Sequence, residues 1–155
     1  MTCDSASAII SLNVPPVIVV DTIVLIGALP GGDGANRRIL RACFERRLLP
    51  IIGQSLYCEY EDVMGRSNLF SKCPLNASER ARLLDDFLSV CSWVHIYFGW
   101  RPNLRDEADN HIVELAVAGD AQAVVTNNLS DFRSAALNFP GILILTPKEA
   151  GSQLL

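Results

Sequence analysis

The chain has 155 residues, which suits one domain and is long enough to bury a single core. Half of the residues are hydrophobic and 19% are charged, a composition typical of folded proteins and not of disordered ones. The apolar runs are short and interrupted by Pro, Gly or Asp, so we expect no membrane-spanning helix. The net charge of −4 counts mildly against nucleic-acid binding, and any such function therefore has to rest on local features.

The two ends of the chain and its cysteines indicate where the protein works. The first residues lack the basic segment and the apolar stretch of a signal peptide. We predict an N-terminal tail over residues 1–15, one domain over residues 16–150 and a C-terminal tail over residues 151–155. The five cysteines are widely spaced and include no CxxC pair, which argues against a disulfide framework and against a zinc site. A reduced, cytoplasmic setting is the simplest interpretation.

Short apolar runs alternate along the chain with stretches of helical periodicity. The apolar runs predict strands over residues 17–20, 50–52, 94–96, 123–125 and 142–145. The helical periodicity predicts helices over residues 36–47, 55–66 with Ser55 as a cap, 76–88, 107–118, and a short segment after Ser130. Continuously apolar strands separated by helices indicate a parallel sheet that is covered on both faces. The predicted fold is therefore an α/β fold, a three-layer α/β/α sandwich.

Two carboxylates in the first half of the chain lie at a strand end and on an apolar helix face. An acidic side chain at such a position is costly unless it is paired or binds a ligand. Asp21 directly follows the first apolar strand, and open parallel sheets bind ligands at the carboxyl ends of their strands. Glu59 interrupts the apolar helical face formed by Leu56, Tyr60 and Val63. The structural alternatives are a helix N-cap for Asp21 and a buried ion pair with an arginine for Glu59.

Further acids in the second half of the chain extend this pattern. Asp109 heads the apolar stripe of the next helix, near an N-terminus whose dipole favours an anion. Asp106, one turn earlier, is a helix cap, a second ligand or neither. After the fourth apolar run, Asn128 or Asp131 could reach the same crevice. Converging carboxylates repel one another without cations, and a set of oxygen ligands suits Mg²⁺ or Mn²⁺, whereas zinc would favour Cys or His.

The two histidines take no part in this predicted metal site. His95 alternates within a predicted strand and is interpreted as a structural residue. His111 is predicted to lie on an exposed helix face. The metal-site prediction therefore rests on carboxylates alone.

The most basic segment of the chain runs over residues 36–47 and carries five arginines. Within it, Arg37 and Arg38 are predicted to contact backbone phosphates of a nucleic acid, since such contacts supply non-specific affinity. The alternative, weighted equally, is an amphipathic helix whose arginines are only solvated.

Taken in order, these segments resemble the PIN-domain family, in particular the PIN-type toxins of bacterial toxin–antitoxin pairs. The matching stretches are VVDT at 19–22, SLYCEYEDV at 55–63, RPNLRDEADN at 101–110, ELAVAG at 114–119, VTNNLSDF at 125–132 and ILTP at 144–147. Each stretch alone is weakly specific, but their order and spacing cover residues 17–150. The resemblance implies a PIN-like fold and a metal-dependent endoribonuclease that hydrolyses single-stranded RNA in the cytoplasm.

The resemblance also implies roles for individual residues. Asp21, Glu59 and Asp109 match the family's catalytic acids, which hold Mg²⁺ or Mn²⁺. Asn128 stands at a catalytic position that is commonly a fourth acid, and Asp131 is the candidate that replaces the missing charge as a metal ligand. Thr126 matches the family's hydroxyl residue beside that position and is assigned to substrate binding.

The implied partners are an RNA substrate, an antitoxin protein and a second copy of the chain. The antitoxin and the homodimer follow from the resemblance alone. The apolar face of the helix over residues 78–90 is a candidate dimer surface. No membrane partner is expected.

Two departures from the family pattern support an alternative function. Ile23 stands where family members usually have Asn, and Asn128 stands in place of an acid. The alternative is a catalytically weakened PIN-like module that binds RNA or a protein. An aspartyl phosphotransferase is a poor match because it needs a second Asp at position 23, and residues 31–34 do not form the GxGxxG turn of dinucleotide-binding folds.

Overall fold

A computed structural model of the chain describes residues 14–29, 34–66, 73–96, 110–132, 136 and 138–155. The strands are β1 (Val17–Val20), β2 (Leu49–Ile52), β3 (Ser92–Trp93), β4 (Ala123–Val125) and β5 (Leu143–Leu145). They form one sheet in the order β3-β2-β1-β4-β5, and every pair of neighbours is parallel. Helices connect the strands, as parallel pairing requires.

The helices cover the sheet and give a three-layer α/β/α sandwich, which confirms the predicted fold class. Their bounds are α1 (Thr22–Gly27), α2 (Ala35–Phe44), α3 (Gln54–Met64), α4 (Ala77–Val90), α5 (Asn110–Ala118) and α6 (Pro147–Leu154), with a 3₁₀ turn at Leu129–Phe132 after β4. None of the described helices is both long and apolar enough to span a membrane.

The core is centred on β1 and β4. Ile18, Val19 and Val124 are fully buried, which explains why these strands show no alternation of polar and apolar residues. Tyr60 of α3 and Phe87 of α4 are also buried and meet edge to face, with ring centroids 5.9 Å apart. This aromatic contact packs α3 against α4 and holds α3 close to the sheet.

The junction between β2 and α3 differs from the prediction. Helix α3 begins at Gln54 after Gly53 as its N-cap, so the predicted cap at Ser55 is wrong. Gly53 has an extended backbone, with φ −128° and ψ 177°, and the helix begins directly after it. This tight junction carries Glu59 to the carboxyl end of the sheet.

Strand β3 is shorter and earlier than the predicted strand over residues 94–96. It covers Ser92–Trp93, although the N–H of Val94 still donates to the carbonyl of Ile52 at 2.8 Å. Both residues of β3 are exposed because it is an edge strand. An exposed edge strand carries a weaker apolar pattern than a central one, and its bounds are correspondingly harder to predict.

Helix α4 begins as predicted at Asn76, which forms a reciprocal capping box with Glu79. Its apolar face is not free for a second copy of the chain, because Leu84 and Phe87 are buried in the core of the same molecule. The predicted dimer surface on this helix is therefore wrong: the apolar stripe serves folding.

Helix α6 extends through Leu154, so most of the segment predicted as a C-terminal tail is helical. Thr146 caps this helix by accepting a hydrogen bond from the N–H of Glu149, and Pro147 occupies its first turn. Ala150 and Gly151 are buried, and the helix packs against α2. The end of the chain is thus part of the sandwich.

Candidate functional site

The crevice that holds the candidate site lies where the chain leaves β1 and β4. From the central strand β1, one neighbour is β2 and the other is β4, so the connections diverge at this point. Open parallel sheets bind ligands at such a point, outside the carboxyl ends of the strands. Asp21 directly follows β1 and Thr126 directly follows β4, which places both residues at this edge.

Asp21 is the most deeply buried acid that the structure describes, with 4% of its surface exposed. Its backbone occupies the N-cap position of α1, but its side chain makes no capping hydrogen bond. Instead, the hydroxyl of Thr126 donates to Oδ2 of Asp21 at 2.7 Å, and the N–H of Asp21 donates to the carbonyl of Val125 at 3.0 Å. The carboxylate therefore contacts Thr126 in the crevice and does not cap the helix.

Burial raises the pKa of the Asp21 carboxyl above its ordinary value of 3.8. The hydrogen bond from Thr126 opposes this shift, and repulsion from the Glu59 carboxylate adds to it. The backbone N–H of Thr22 and the side chain of His111 lower the pKa to a smaller extent. Asp21, Glu59 and His111 thus act on one another in a single electrostatic environment.

Glu59 is only partly buried, with 36% of its side chain exposed. Nε2 of His111 lies 2.8 Å from Oε2 of Glu59. This hydrogen bond is the main cause that lowers the pKa of Glu59, while partial burial opposes it. Among the described residues, the charged partner of Glu59 is therefore a histidine and not the arginine of the predicted alternative.

The prediction that His111 lies on an exposed helix face is also wrong, since only 21% of its side chain is exposed. His111 stands at the start of α5, which packs on α3, and the buried Leu115 lies four residues later on the same helical face. This spacing is the signal in the sequence that could have placed His111 on the inner side.

Two more residues that the sequence analysis did not assign support the site. The hydroxyl of Tyr60 donates to the carbonyl of Val20, which ties α3 to the last residue of β1. The hydroxyl of Thr22 is buried and makes no hydrogen bond of standard geometry to the described residues, yet it lies close enough to Glu59 to lower its pKa as a hydrogen-bond donor. It is therefore a third oxygen beside the two carboxylates.

The segment after β4 contributes through its backbone. The N–H of Asn128 donates to the hydroxyl of Thr126 at 3.0 Å, and the carbonyl of Asn128 accepts from the N–H of Asp131 at 3.1 Å. Thr126 is fully buried, whereas Asp131 is partly exposed. A chain of hydrogen bonds therefore runs from the 3₁₀ turn through Thr126 to the Asp21 carboxylate.

The predicted acids are only partly brought together. Asp21 and Glu59 share the crevice, and Asp109 lies outside the described residues. Across the ranges that the structure describes, no group of three or more His, Cys, Asp or Glu side chains has the arrangement of a metal site. Asp131 therefore does not join Asp21 and Glu59 as a third ligand.

The described donors nevertheless fit a hard divalent cation. Carboxylate oxygens of Asp21 and Glu59 and the hydroxyl oxygen of Thr22 are the ligand types that Mg²⁺ and Mn²⁺ prefer. The repulsion between Asp21 and Glu59 is what a bound cation would relieve. The buried Thr22 hydroxyl lies beside the same carboxylate pair.

The two arginines predicted to meet phosphates lie on different sides of α2. Arg37 lines a groove of about 540 Å³ between α2 and α4, together with Arg41 and Arg82. Arg38 lies against α6 instead. Its guanidinium is so close to Gly151 that a β-carbon at that position would lie 3.2 Å from Nη1. Both arginines are exposed, and the groove beside Arg37 is also lined by Glu79 and Asp86.

Ile23 and His95 are both exposed. Ile23 exposes 44% of its surface at the start of α1, so the apolar residue that replaces the family's Asn does not serve the core. His95 follows β3 and lies outside any strand, contrary to the prediction that it alternates within one.

The comparisons with known proteins agree with this arrangement. A family model described as PIN domain matches residues 17–130, which include Asp21, Glu59 and Thr126. The chain is also similar to the crystal structure of VapBC2 from Rickettsia felis bound to a DNA fragment from the promoter, with 15% identity and a TM-score of 0.51. The likeness covers 84% of this chain and 98% of that chain, and at this identity it concerns the fold alone. No curated protein matches the chain. Because the family model matches well over half of its residues, the chain belongs to the PIN-domain family.

Proposed function

We propose that this PIN domain is a metal-dependent endoribonuclease that hydrolyses single-stranded RNA. PIN domains are generally nucleases, and the family match supports the same reaction class here. The observation that carries the proposal is the buried Asp21 carboxylate, whose pKa is raised by burial and by the neighbouring Glu59. A buried carboxylate beside a second, partly exposed carboxylate is costly for a fold and useful for binding a cation.

Asp21 and Glu59 are the residues that would hold Mg²⁺ or Mn²⁺, and Asp109 is proposed to complete the set. When bound, a divalent cation supplies positive charge that neutralises these carboxylates and stabilises the negative charge that develops on a phosphate group. The side chains around the two carboxylates then determine how well that charge is placed.

The chain's own residues hold the site in position before any ligand arrives. Thr126 donates to Asp21 and thereby fixes the orientation of its carboxylate. The backbone N–H of Asn128 fixes Thr126 in turn, and the side chain of Asn128 is proposed to orient water or a phosphate oxygen. Such prior positioning lowers the cost of assembling the reacting groups.

The RNA backbone would also need positive charge away from the carboxylates. Arg37 is exposed and shares a groove with Arg41 and Arg82, so we assign it to contacts with phosphates. Arg38 is assigned a smaller part because it packs beside Gly151.

We further propose that the protein is the toxin of a toxin–antitoxin pair, working in the cytoplasm with an antitoxin and as a homodimer. This proposal rests on the resemblance to PIN-type toxins, and the similar VapBC2 structure, bound to promoter DNA, is compatible with it. Co-expression with the product of an adjacent reading frame tests the pairing. Rescue of growth and co-purification are expected, and growth arrest that the second product does not relieve would contradict it.

The second candidate is a catalytically weakened PIN-like module that binds RNA or a protein. Ile23 and Asn128 favour it, since both replace polar or acidic residues of the family near the carboxylates. The two candidates differ in their use of a cation. A nuclease should be stabilised against unfolding by Mg²⁺ or Mn²⁺, whereas a module without a cation site should not.

The test of the nuclease proposal is the cleavage of a labelled single-stranded RNA in the presence of Mg²⁺ or Mn²⁺. Asp21→Asn and Asp109→Asn keep the shape of each side chain and remove its charge, and both are expected to abolish cutting. Retained cutting in either variant would remove that residue from the catalytic set. No cutting by the wild-type protein with several RNAs and either metal would favour the binding module.

A further inference from the structure

The contact between His111 and Glu59 has a geometry that constrains both side chains. Nε2 of His111 lies 2.8 Å from Oε2 of Glu59, which is hydrogen-bond distance. A carboxylate can only accept, so Nε2 carries the hydrogen. Among the described residues, Nδ1 of His111 is buried and has no hydrogen-bond partner.

These two facts define the form of the imidazole ring. A hydrogen on Nδ1 would be a buried donor without an acceptor in the described part of the chain. An unsatisfied buried donor costs more free energy than an unsatisfied buried acceptor. A hydrogen on Nε2 alone satisfies the contact with Glu59 and leaves Nδ1 as an unused acceptor. The hydrogen-bond network therefore favours the Nε2–H tautomer.

The contact also divides the two oxygens of Glu59. His111 donates to Oε2, so Oε1 is the oxygen that this contact leaves fully available to another ligand. The link joins α5 to α3, two helices that pack together at the edge of the crevice. Glu59 is more exposed than Asp21, with 36% of its side chain exposed. A contact from another residue is therefore needed more at Glu59 to hold its carboxylate in one orientation.

We propose that His111 is a positioning residue, which holds the Glu59 carboxylate through its Nε2–H and presents Oε1 to a divalent cation. This inference rests on the proposed function in one respect, namely that Asp21 and Glu59 hold a cation. Outer partners of metal-binding carboxylates set the orientation of the ligand, and their loss typically lowers metal affinity about 10–100-fold.

The test compares two substitutions of similar size at this position. His111→Gln places an amide N–H within reach of Glu59, whereas His111→Leu fills the space without a donor. Mn²⁺ binding is measured by electron paramagnetic resonance and by the shift of the thermal unfolding midpoint. His95→Leu is the matched control, since it removes the other histidine of the chain at an exposed position.

We expect His111→Leu to bind Mn²⁺ about 10–100-fold more weakly than the wild type, and His111→Gln and His95→Leu to stay close to it. Wild-type affinity in His111→Leu would overturn the proposal. Equal losses in the Leu and Gln variants, with unfolding midpoints unchanged in the absence of metal, would also overturn it, because the donor would then not be the relevant feature.

A measurement on the wild-type protein keeps the proposal testable if the variants fail to fold. Long-range ¹H–¹⁵N correlation spectra of the metal-free protein should show His111 with its hydrogen on Nε2, and a hydrogen on Nδ1 alone would overturn the assignment. RNA cleavage is scored separately. Weak Mn²⁺ binding in His111→Leu, together with no cutting by the wild type, would reject the nuclease and retain the positioning role. Absence of any Mn²⁺ binding by the wild type would overturn the positioning role itself.

Discussion

Asp21 is the residue whose position is hardest to explain by a contribution to folding stability. An ionised group with 4% exposure is costly, and the side-chain hydrogen bond from Thr126 compensates for only part of that cost. Repulsion from Glu59 adds to it. Strained or destabilised groups of this kind are a common feature of active sites, where function is maintained at the expense of stability.

Replacing Asp21 with Asn should therefore stabilise the metal-free protein. The folded chain keeps the Asp21 proton at pH values at which the unfolded chain has lost it, because its pKa is raised in the folded state. The contribution of Asp21 to stability thus falls as pH rises from about 3.8 through the folded pKa. At neutral pH with a chelator, urea unfolding should show a gain of about 1 kcal/mol for Asp21→Asn.

Adding Mg²⁺ or Mn²⁺ should remove this advantage, since a cation that binds only the folded state adds about 2.7 kcal/mol at 100 times its Kd. The wild type should gain from the metal and the variant should not. A metal-free Asp21→Asn protein that is less stable than the wild type would show that the carboxylate supports the fold.

The hydroxyl of Thr126 should matter for activity more than its methyl group does. Thr126→Val removes the donor to Asp21 and keeps the shape, whereas Thr126→Ser keeps the donor. We expect Thr126→Val to cut RNA about 10–100-fold more slowly, as for other outer partners of metal ligands. Thr126→Ser should stay close to the wild type. Initial cleavage rates at saturating metal measure both, and equal rates for Val and Ser would refute the role of the hydrogen bond.

At the scale of elements, the site depends on how α3 is fastened to the sheet. Helix α3 begins immediately after β2 with Gly53 as its N-cap, and the hydroxyl of Tyr60 ties the helix to the carbonyl of Val20. Val20 directly precedes Asp21 in the chain. The spacing between Asp21 and Glu59 is therefore set by backbone and core contacts and not by the two acids themselves.

Tyr60→Phe isolates this link. It removes one buried hydroxyl and leaves the ring contact with Phe87 in place, so it should destabilise the fold by about 1 kcal/mol. Urea unfolding measures the change, and Tyr57→Phe, on the same helix at a partly exposed position, should have a smaller effect. A Tyr60→Phe protein as stable as the wild type would show that the hydrogen bond contributes nothing.

The sequence predicts the parallel sandwich well because its central strands are continuously apolar and buried on both faces. It also predicts that Asp21 lies in the crevice at the carboxyl end of β1, since an acid at the end of such a strand has few structural uses. Edge elements such as β3 were placed less accurately because their residues are exposed and follow no strong pattern. The spacing from His111 to Leu115 indicates that His111 faces inward, but its contact with Glu59 could not be predicted because Glu59 lies on another helix.

At the scale of the whole molecule, the topology brings distant segments to one edge of the sheet. Asp21 and Thr126 are 105 residues apart in the chain and share a hydrogen bond because β1 and β4 are adjacent and parallel. The net charge of −4 contributes no general attraction to RNA. The proposed binding of RNA therefore requires local positive charge or cations held by the carboxylates.

The arginines of α2 allow a test of that local charge. Arg37→Gln should weaken binding of a short single-stranded RNA and reduce the slope of log K against log salt by about 1. Arg38→Gln should change the slope less, because Arg38 lies against Gly151. Fluorescence anisotropy at several salt concentrations measures both slopes. An unchanged slope in Arg37→Gln would remove this residue from the RNA-binding surface.

The most direct test of the central claim is the rate at which RNA is cut by the wild type, Glu59→Gln and Glu61→Gln with and without Mn²⁺. Glu59 faces Asp21 and His111, whereas Glu61 lies on the exposed side of the same helix, so the two substitutions differ only in where the charge is lost. We predict Mn²⁺-dependent cutting by the wild type and by Glu61→Gln and its loss in Glu59→Gln. Equal rates in the two variants, or cutting that does not depend on the cation, would contradict a metal-dependent site built on Asp21 and Glu59.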